Sequence, residues 1–433
     1  MSAPASRPRP SPSQPFLSLR YRNFRLLWIS LLISFSGSMM QTAAILWHVS
    51  LVAPPDKKGL ALGLVGLVRV VPIIVFSLIG GVAADAADRR KLMIFTQTAM
   101  LISAATLAII TFRGLTAIWP IYLLTAIGAA AGSFDGPARQ SLIPNLVPRE
   151  HLSNAISLNT IMFQTASVVG PALAGIVIAS LGVGWVYALN AVSFMAVVVA
   201  LLRMRDIPPR APEERAEMSV RSAIEGLRFV FSAPLIRSSM LLDFFATFFS
   251  SATALLPIFA QDILHVGPTG YGWLYSAQAI GAVITAAIMV PLVDRIDHRG
   301  RLLLWMVIGY GLATVGFGLA RTFWLSFACL ALVGATDTVS TVLRNIIRQL
   351  TTPDHLRGRM TSVNMMFFMG GPQLGELEAG LVAQAFGAPF SVVSGGLACF
   401  VAAIWIAWKT PILRYYRREE PIPVSAPARV AVG

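Results

Sequence analysis

Residues 81–91 read Gly-Val-Ala-Ala-Asp-Ala-Ala-Asp-Arg-Arg-Lys. This short charged stretch closes one long apolar run, residues 60–84, and leads at once into another, residues 92–112. About 20 mostly apolar residues, rising about 1.5 Å each as a helix, cross the hydrocarbon core of a bilayer. The spacing therefore predicts two spanning helices joined by a tight, water-facing hairpin.

The same rhythm continues in both directions. Apolar runs at 23–52, 117–138, 157–181 and 184–204 complete a first set of six. Runs at 238–262, 270–293, 301–320, 324–346, 361–386 and 389–410 make a second. The reading is an all-α polytopic membrane protein of twelve transmembrane helices in two six-helix bundles. Residues 1–20 are expected to be a disordered cytoplasmic tail rich in Pro and Ser, without the layout of a cleaved signal peptide. Residues 21–204 form the first bundle, 205–236 a cytoplasmic linker, 237–412 the second bundle and 413–433 a second tail. Within the linker, Val220, Ile224, Leu227 and Phe231 recur at helical spacing and predict an amphipathic helix over Ser219–Phe231.

Composition agrees. The chain is 56% hydrophobic and 12% charged, against about 25% charged for a soluble domain, too few charges to cover a water-facing surface. The net charge of +14 does not point to nucleic acid, because the basic residues sit in short loops and form no basic helix or aromatic-interleaved patch. If both termini are cytoplasmic, 29 of the 34 Lys and Arg fall on the cytoplasmic side, four fall outside and Arg69 lies within a helix. That bias sets the orientation by the positive-inside rule. Cys329 and Cys399 both lie inside apolar runs and are read as small buried or lipid-facing residues.

The halves repeat. Gly170, Gly175 and Gly182 match Gly375, Gly380 and Gly387 at an offset of 205, while Gly63 and Asp85 match Gly272 and Asp294 at 209. Glu150-His151-Leu152 matches Asp354-His355-Leu356. Parallel halves with a site between them near the midplane are a transporter architecture.

The 81–91 stretch resembles the signature loop of the major facilitator superfamily, with Gly81, Asp85, Arg89 and Arg90 on the motif positions. It departs at Ala86, where a basic residue is usual, and at Asp88, where a glycine is usual. Asp294-Arg295-Ile-Asp297-His298-Arg299 is a degenerate second copy. Phe24-Arg25-Leu26-Leu27-Trp28, Phe134-Asp135-Gly136-Pro137-Ala138-Arg139-Gln140 and Asp243-Phe244-Phe245-Ala246-Thr247, with Leu256-Pro257, narrow the resemblance to the transmembrane secretion effector branch, over roughly residues 15 to 410. That resemblance implies the major facilitator fold and export of small molecules. It also implies a latch in which Asp85, near a helix end and held by arginines, engages the opposite half when the outside is open. Asp135 and Arg139 would extend the same network.

Ionisable groups within a bilayer cost roughly 2.5–3.5 kcal/mol each on insertion scales, so they are the first candidates for function. Arg69 lies about 14 Å into the second helix, placed to bind an anionic substrate or pair with a carboxylate. Glu376 and Glu378, two residues apart on the eleventh helix, point to different faces. Either can carry a proton if its surroundings alternate between apolar burial and a nearby arginine, and Glu376 leads because it replaces Pro171 of the repeat. Asp243 and Asp337 are further proton or gate candidates, with capping or packing as the plainer role. Gln41, Asn159, Asn190, Gln278 and Asn364 offer hydrogen bonds to substrate or, more simply, to neighbouring helices. Trp119, Trp185 and Trp324 are placed as interface anchors.

The sequence carries no G-x-x-x-x-G-K-[ST] loop, H-E-x-x-H, Cys/His metal spacing or G-x-S-x-G elbow. An enzyme or an ATP-driven pump is not expected. The expected function is proton-coupled export of an amphipathic small molecule such as a drug or siderophore, with the proton gradient in place of a cofactor. The expected setting is the bacterial inner membrane, with the lipid bilayer and the substrate as partners and a single chain as the working unit. The alternatives are a lysophospholipid translocator and a membrane scaffold or sensor.

Overall fold

The computed structural model describes residues 16–86, 88–205, 227–353 and 356–418, with the side chains of 77–86 and of 357–359, 362, 365, 366, 368 and 369 outside that description. The first bundle comprises α1 (Arg22–Val52), α2 (Lys58–Ala86), α3 (Arg89–Phe112), α4 (Trp119–Leu142), α5 (Leu152–Leu181) and α6 (Val183–Arg203). The second comprises α7 (Pro234–Phe249), α8 (Gly267–Leu292), α9 (Arg299–Leu319), α10 (Phe323–Thr351), α11 (Arg357–Phe386) and α12 (Ala388–Lys409).

Among the described residues, ten segments have the length and apolarity to cross a membrane, the one that begins with α7 running over Pro234–Ile263, and α4 and α11 are not among them. Those two helices carry glycines together with Asp135 and Arg139 or with Gln373, Glu376 and Glu378, so their mean hydropathy drops where candidate functional residues accumulate.

The helices extend beyond the expected runs, mostly at the end where α1 begins: α5 starts at Leu152 and α10 runs to Thr351. The seventh segment departs from the expected unbroken helix. It ends at Phe249, passes through Ser250 and Ser251, resumes as a 3-10 turn at Ala252–Leu255, and finishes in a π turn at Phe259–Ile263. Ser250 leaves the helical region, and Pro257 in the next turn removes a backbone donor. Of the expected linker helix, residues 219–226 lie outside the description and 227–232 are helical.

Within each bundle the packing follows one plan. α1 packs on α5 and α6, α2 on α4, and α3 on α4 and α6. α7 packs on α11 and α12, α8 on α10, and α9 on α10 and α12. The two bundles meet mainly through α2 against α11 and α5 against α8. Large apolar side chains cover the outside, with Phe95, Val290 and Trp324 at 72%, 76% and 77% exposure. In water such a coat would be untenable; against lipid it is the low-energy surface. Trp119 and Trp185 are exposed near helix ends.

The repeat pairing becomes a contact pairing. Gly63 and Gly380 meet where α2 crosses α11, and a Cβ on Gly63 would lie 2.9 Å from the Gly380 Cα. Gly272 and Gly175 meet where α8 crosses α5, with the same 2.9 Å to the Gly175 Cα. Both crossings need glycine because backbone lies against backbone.

Candidate functional site

Call the end where α1 starts proximal and the end where it stops distal. At the distal end the bundles are clasped. The Lys58 ammonium pairs with Asp262 Oδ2 at 2.9 Å and donates to Gln261 Oε1 at 2.9 Å. Gln261 Nε2 donates to Ser50 Oγ at 2.8 Å. The Leu60 N–H donates to Gln384 Oε1 at 3.2 Å, and Gln384 Nε2 donates to the Asp56 carbonyl. Deeper in, Tyr271 donates to the Ala43 carbonyl at 2.8 Å and Ser276 to the Val168 carbonyl at 2.7 Å.

Beneath the clasp lies the first charged centre. Glu376 of α11 is buried, at 6% exposure, and its Oε2 has no hydrogen-bond partner. It packs against α2 at Gly66, where an added Cβ would sit 2.8 Å from the Glu376 Cβ and 3.0 Å from Oε2. One turn on, Arg69 reaches the Thr42 carbonyl at 3.4 Å. Arg69 acts electrostatically on Glu376 and on the phenols of Tyr187, Tyr271 and Tyr275. The Tyr187 hydroxyl lies 3.1 Å from His48 Nδ1 and donates to the Ala44 carbonyl. The Trp47 and Tyr271 rings lie against each other with centroids 5.0 Å apart and planes tilted by 37°. Glu378 points to another side of α11 and is half-buried. Gln41 accepts from Asn190 Nδ2 at 2.7 Å, which fixes it within the first bundle.

The repeat explains why this centre is lopsided. At the offset of 209, Gly66 and Arg69 fall on Tyr275 and Gln278, and at 205 Pro171 falls on Glu376. The glycine crossings are symmetric, but the charges stand on one of them.

A second centre lies wholly in the second bundle. Arg344 of α10 is 2% exposed; it pairs with Asp243 of α7 at 2.8 Å and with Asp337 of its own helix at 3.5 Å. Its guanidinium also donates to Ser340 Oγ at 2.8 Å and Thr341 Oγ1 at 2.7 Å. Next along, Arg348 donates to Asn345 Oδ1 at 2.6 Å and to Asn364 Oδ1 of α11. Arg344 is one of the 29 basic residues counted on the cytoplasmic side from the sequence, and the structure buries it within the bundle. It is an interior residue, because α10 continues past it with Leu343 and Ile347 fully buried.

The signature region is seen in part. Gly81 and Asp85 continue α2 to Ala86, and the Asp85 side chain lies outside the described part. Asp88, which replaces the usual glycine, caps α3 by accepting from the N–H groups of Arg90 at 2.9 Å and Lys91 at 3.3 Å. Arg89 donates to the Ser141 carbonyl, and Arg90 to those of Leu201 and Leu202. Asp135 is buried and accepts from Thr96 at 3.1 Å and Gln97 at 2.9 Å. Arg139 lies over the Phe35 ring at 4.4 Å. In the second copy Asp294 and Arg295 are exposed, while Arg299 is buried.

Sequence reading missed Arg344, His48, the tyrosines around Arg69 and the Lys58–Asp262 clasp. For Arg344 a signal existed, since the 3–4 residue apolar spacing of α10 runs through Leu343, Ile346 and Ile347. The clasp joins residues about 200 positions apart, and no local pattern marks it.

Comparison with known proteins adds the following. The family profile described as transmembrane secretion effector matches residues 13–421. The enterobactin exporter EntS of Citrobacter koseri is 28% identical over 371 residues, 86% of this chain and 87% of that one. EntS of Escherichia coli K12 is 27% identical over 344 residues, 79% and 82% of the two chains. Among solved structures, a bacterial homolog of the human lysosomal transporter Spinster, inward-facing and unoccupied, superposes with a TM-score of 0.69 at 13% identity, covering 93% and 97%. A POT family transporter in complex with 5-aminolevulinic acid gives 0.70 at 11%, covering 90% and 96%. These likenesses show the fold.

Proposed function

The chain belongs to the transmembrane secretion effector family, and from that premise we propose that it exports an amphipathic small molecule in exchange for protons. It is a transporter of the major facilitator type with multiple membrane-spanning helices. On our reading all twelve segments span, the termini and the 205–236 linker are cytoplasmic, and the membrane is the bacterial inner membrane. The distal end is then the outer face, and the clasped state is inward-facing.

The observation that carries this reading is the pair of symmetric crossings, Gly63 on Gly380 and Gly272 on Gly175. Two bundles held by backbone contacts at matching points can rock about them. The side-chain clasp outside those points can form in one state and part in the other. Arg69 and Glu376 sit just inside the crossings, where a closed gate excludes water and an open one admits it.

The relatives' substrate, enterobactin, sets the first compound to try. Inside-out vesicles with an acidified lumen are expected to accumulate enterobactin or a lipophilic dye such as ethidium, and nigericin is expected to abolish accumulation. Accumulation that ignores nigericin refutes proton coupling. No accumulation across a panel of siderophores, dyes and short-chain labelled lipids refutes export.

A further inference from the structure

We infer that Asp337, Arg344 and Asp243 form a proton-binding switch inside the second bundle, with Asp337 the group that gains and loses the proton. This rests on the proton-coupled reading and names the site.

Three features set this trio apart from an ordinary helix-packing ion pair. First, one guanidinium serves two carboxylates. Second, the carboxylates are unequal. Asp243 holds Arg344 at 2.8 Å with its side chain 7% exposed, while Asp337 stands at 3.5 Å with 45% of its side chain open. Asp337 is near the middle of α10, and its partner Arg344 is enclosed, so the open surface faces a space within the protein. Third, the Arg344 Nε is buried without a hydrogen-bond partner, so the guanidinium keeps a donor in reserve for a second arrangement.

The surrounding groups are few. Tyr310 of α9 lies within electrostatic reach of all three from the other side, with Cys399 of α12 beside that tyrosine, and Arg348, one turn along α10, lies within reach of Arg344 and Asp243. With both aspartates ionised the trio carries one negative charge; with one proton on Asp337 it is neutral. A bound proton leaves Arg344 to Asp243 alone and tightens α10 onto α7. Release of that proton to water restores the Asp337 carboxylate, which draws Arg344 along its own helix and loosens α7. The first half of the broken seventh segment, ending at Phe249, thus becomes the element whose hold depends on the proton. Arg348, through Asn364, ties the same stretch of α10 to α11, the helix that carries Glu376.

Glu376 is the rival proton site, and exposure separates the two. In this state Glu376 is sealed against Gly66, whereas Asp337 is open.

Infrared difference spectra of the full-length protein in lipid vesicles, between acidic and alkaline buffer, test the assignment without any substrate. The wild type is expected to show a titrating carboxylic acid band, lost in Asp337→Asn, restored at a shifted frequency in Asp337→Glu, and retained in Glu376→Gln. Size-exclusion profiles matching wild type verify that the variants are folded. A wild-type band surviving in Asp337→Asn overturns the inference, as does a band that disappears only in Glu376→Gln. Failure of proton-coupled export itself is read separately, from the nigericin response of the vesicles.

Discussion

Gly66 of α2 and Glu376 of α11 occupy each other's space: a methyl group on the glycine would lie 3.0 Å from the glutamate's Oε2. The absence of a side chain at one position is what lets a carboxylate be enclosed at the other. The Gln373 carbonyl also faces Gly66, so bulk there meets backbone that cannot swing aside.

A larger residue at position 66 therefore works against the clasped state. Overpacking costs about 1–3 kcal/mol, which is about 5–150-fold in the balance between two conformations. Gly66→Leu is expected to insert normally, lower transport about 5–150-fold, and expose a cysteine placed at Ser276 to reagent from the distal side. Wild-type protection of that cysteine would show that the crossing does not govern closure.

The Lys58–Asp262 pair is partly exposed, with side chains 15% and 51% open, so its net contribution is small, about 0–1 kcal/mol. Reversing one charge turns attraction into repulsion. Lys58→Asp is expected to slow transport about two- to fivefold by opening the distal end, and the swap Lys58→Asp with Asp262→Lys to recover it. If the swap is no better than the single change, the clasp is incidental.

Asp88 shows how much of a motif's meaning is local. In the sequence it stands as a departure from the signature loop; in the structure it is the N-cap of α3. Losing an N-cap to alanine typically costs about 1 kcal/mol, and to glycine only a few tenths. Asp88→Ala is expected to lower the unfolding midpoint measurably, whereas Asp88→Gly, which restores the usual motif residue, stays near wild type. Equal losses in both would assign the effect to something other than the cap.

The fold was legible because its cause is written along the chain: apolar runs of bilayer length, and glycines repeating at offsets of 205 and 209. Gly63, Gly175, Gly272 and Gly380 were visible as a repeat, and they prove to be the contacts between bundles. Arg69 and Glu376 were singled out separately because burying charge is costly; that they flank one crossing follows only from packing. Arg344 escaped notice because a basic residue near the end of an apolar run looks like a loop charge. Its partner Asp243 lies about 100 residues earlier, and nothing local links them. The break in the seventh segment escaped for a related reason, since Ser250 and Ser251 are small and uncharged and the apolar residues on either side of them carry the run across.

Arg69 and Glu376 stand on facing helices within electrostatic reach of each other, with no direct ion pair between them among the described residues. Neighbouring groups of this kind couple by about 0.5–3 kcal/mol. Arg69→Met should leave the buried carboxylate without that cation and reduce thermal stability. Glu376→Gln in the same chain should regain part of the loss. The difference between the double variant and the sum of the singles, from unfolding in detergent, is expected to be near 1 kcal/mol. Additivity would mean the two residues do not sense each other in this state.

Arg344 makes the sharper case, because Asp243 is enclosed and its ion pair is direct. Breaking a buried pair by removing one partner costs about 3–5 kcal/mol, while replacing both partners by neutral groups is often nearly neutral. Arg344→Met alone is expected to fold poorly, and Arg344→Met with Asp243→Leu to regain most of the stability. The rescued protein has Asp337 with no guanidinium to draw, so it should fold, bind lipid normally and yet fail to couple protons to export. Rescue of stability without rescue of coupling would separate the structural use of this arginine from its use as a switch. Recovery of both would reduce Arg344 to a packing device.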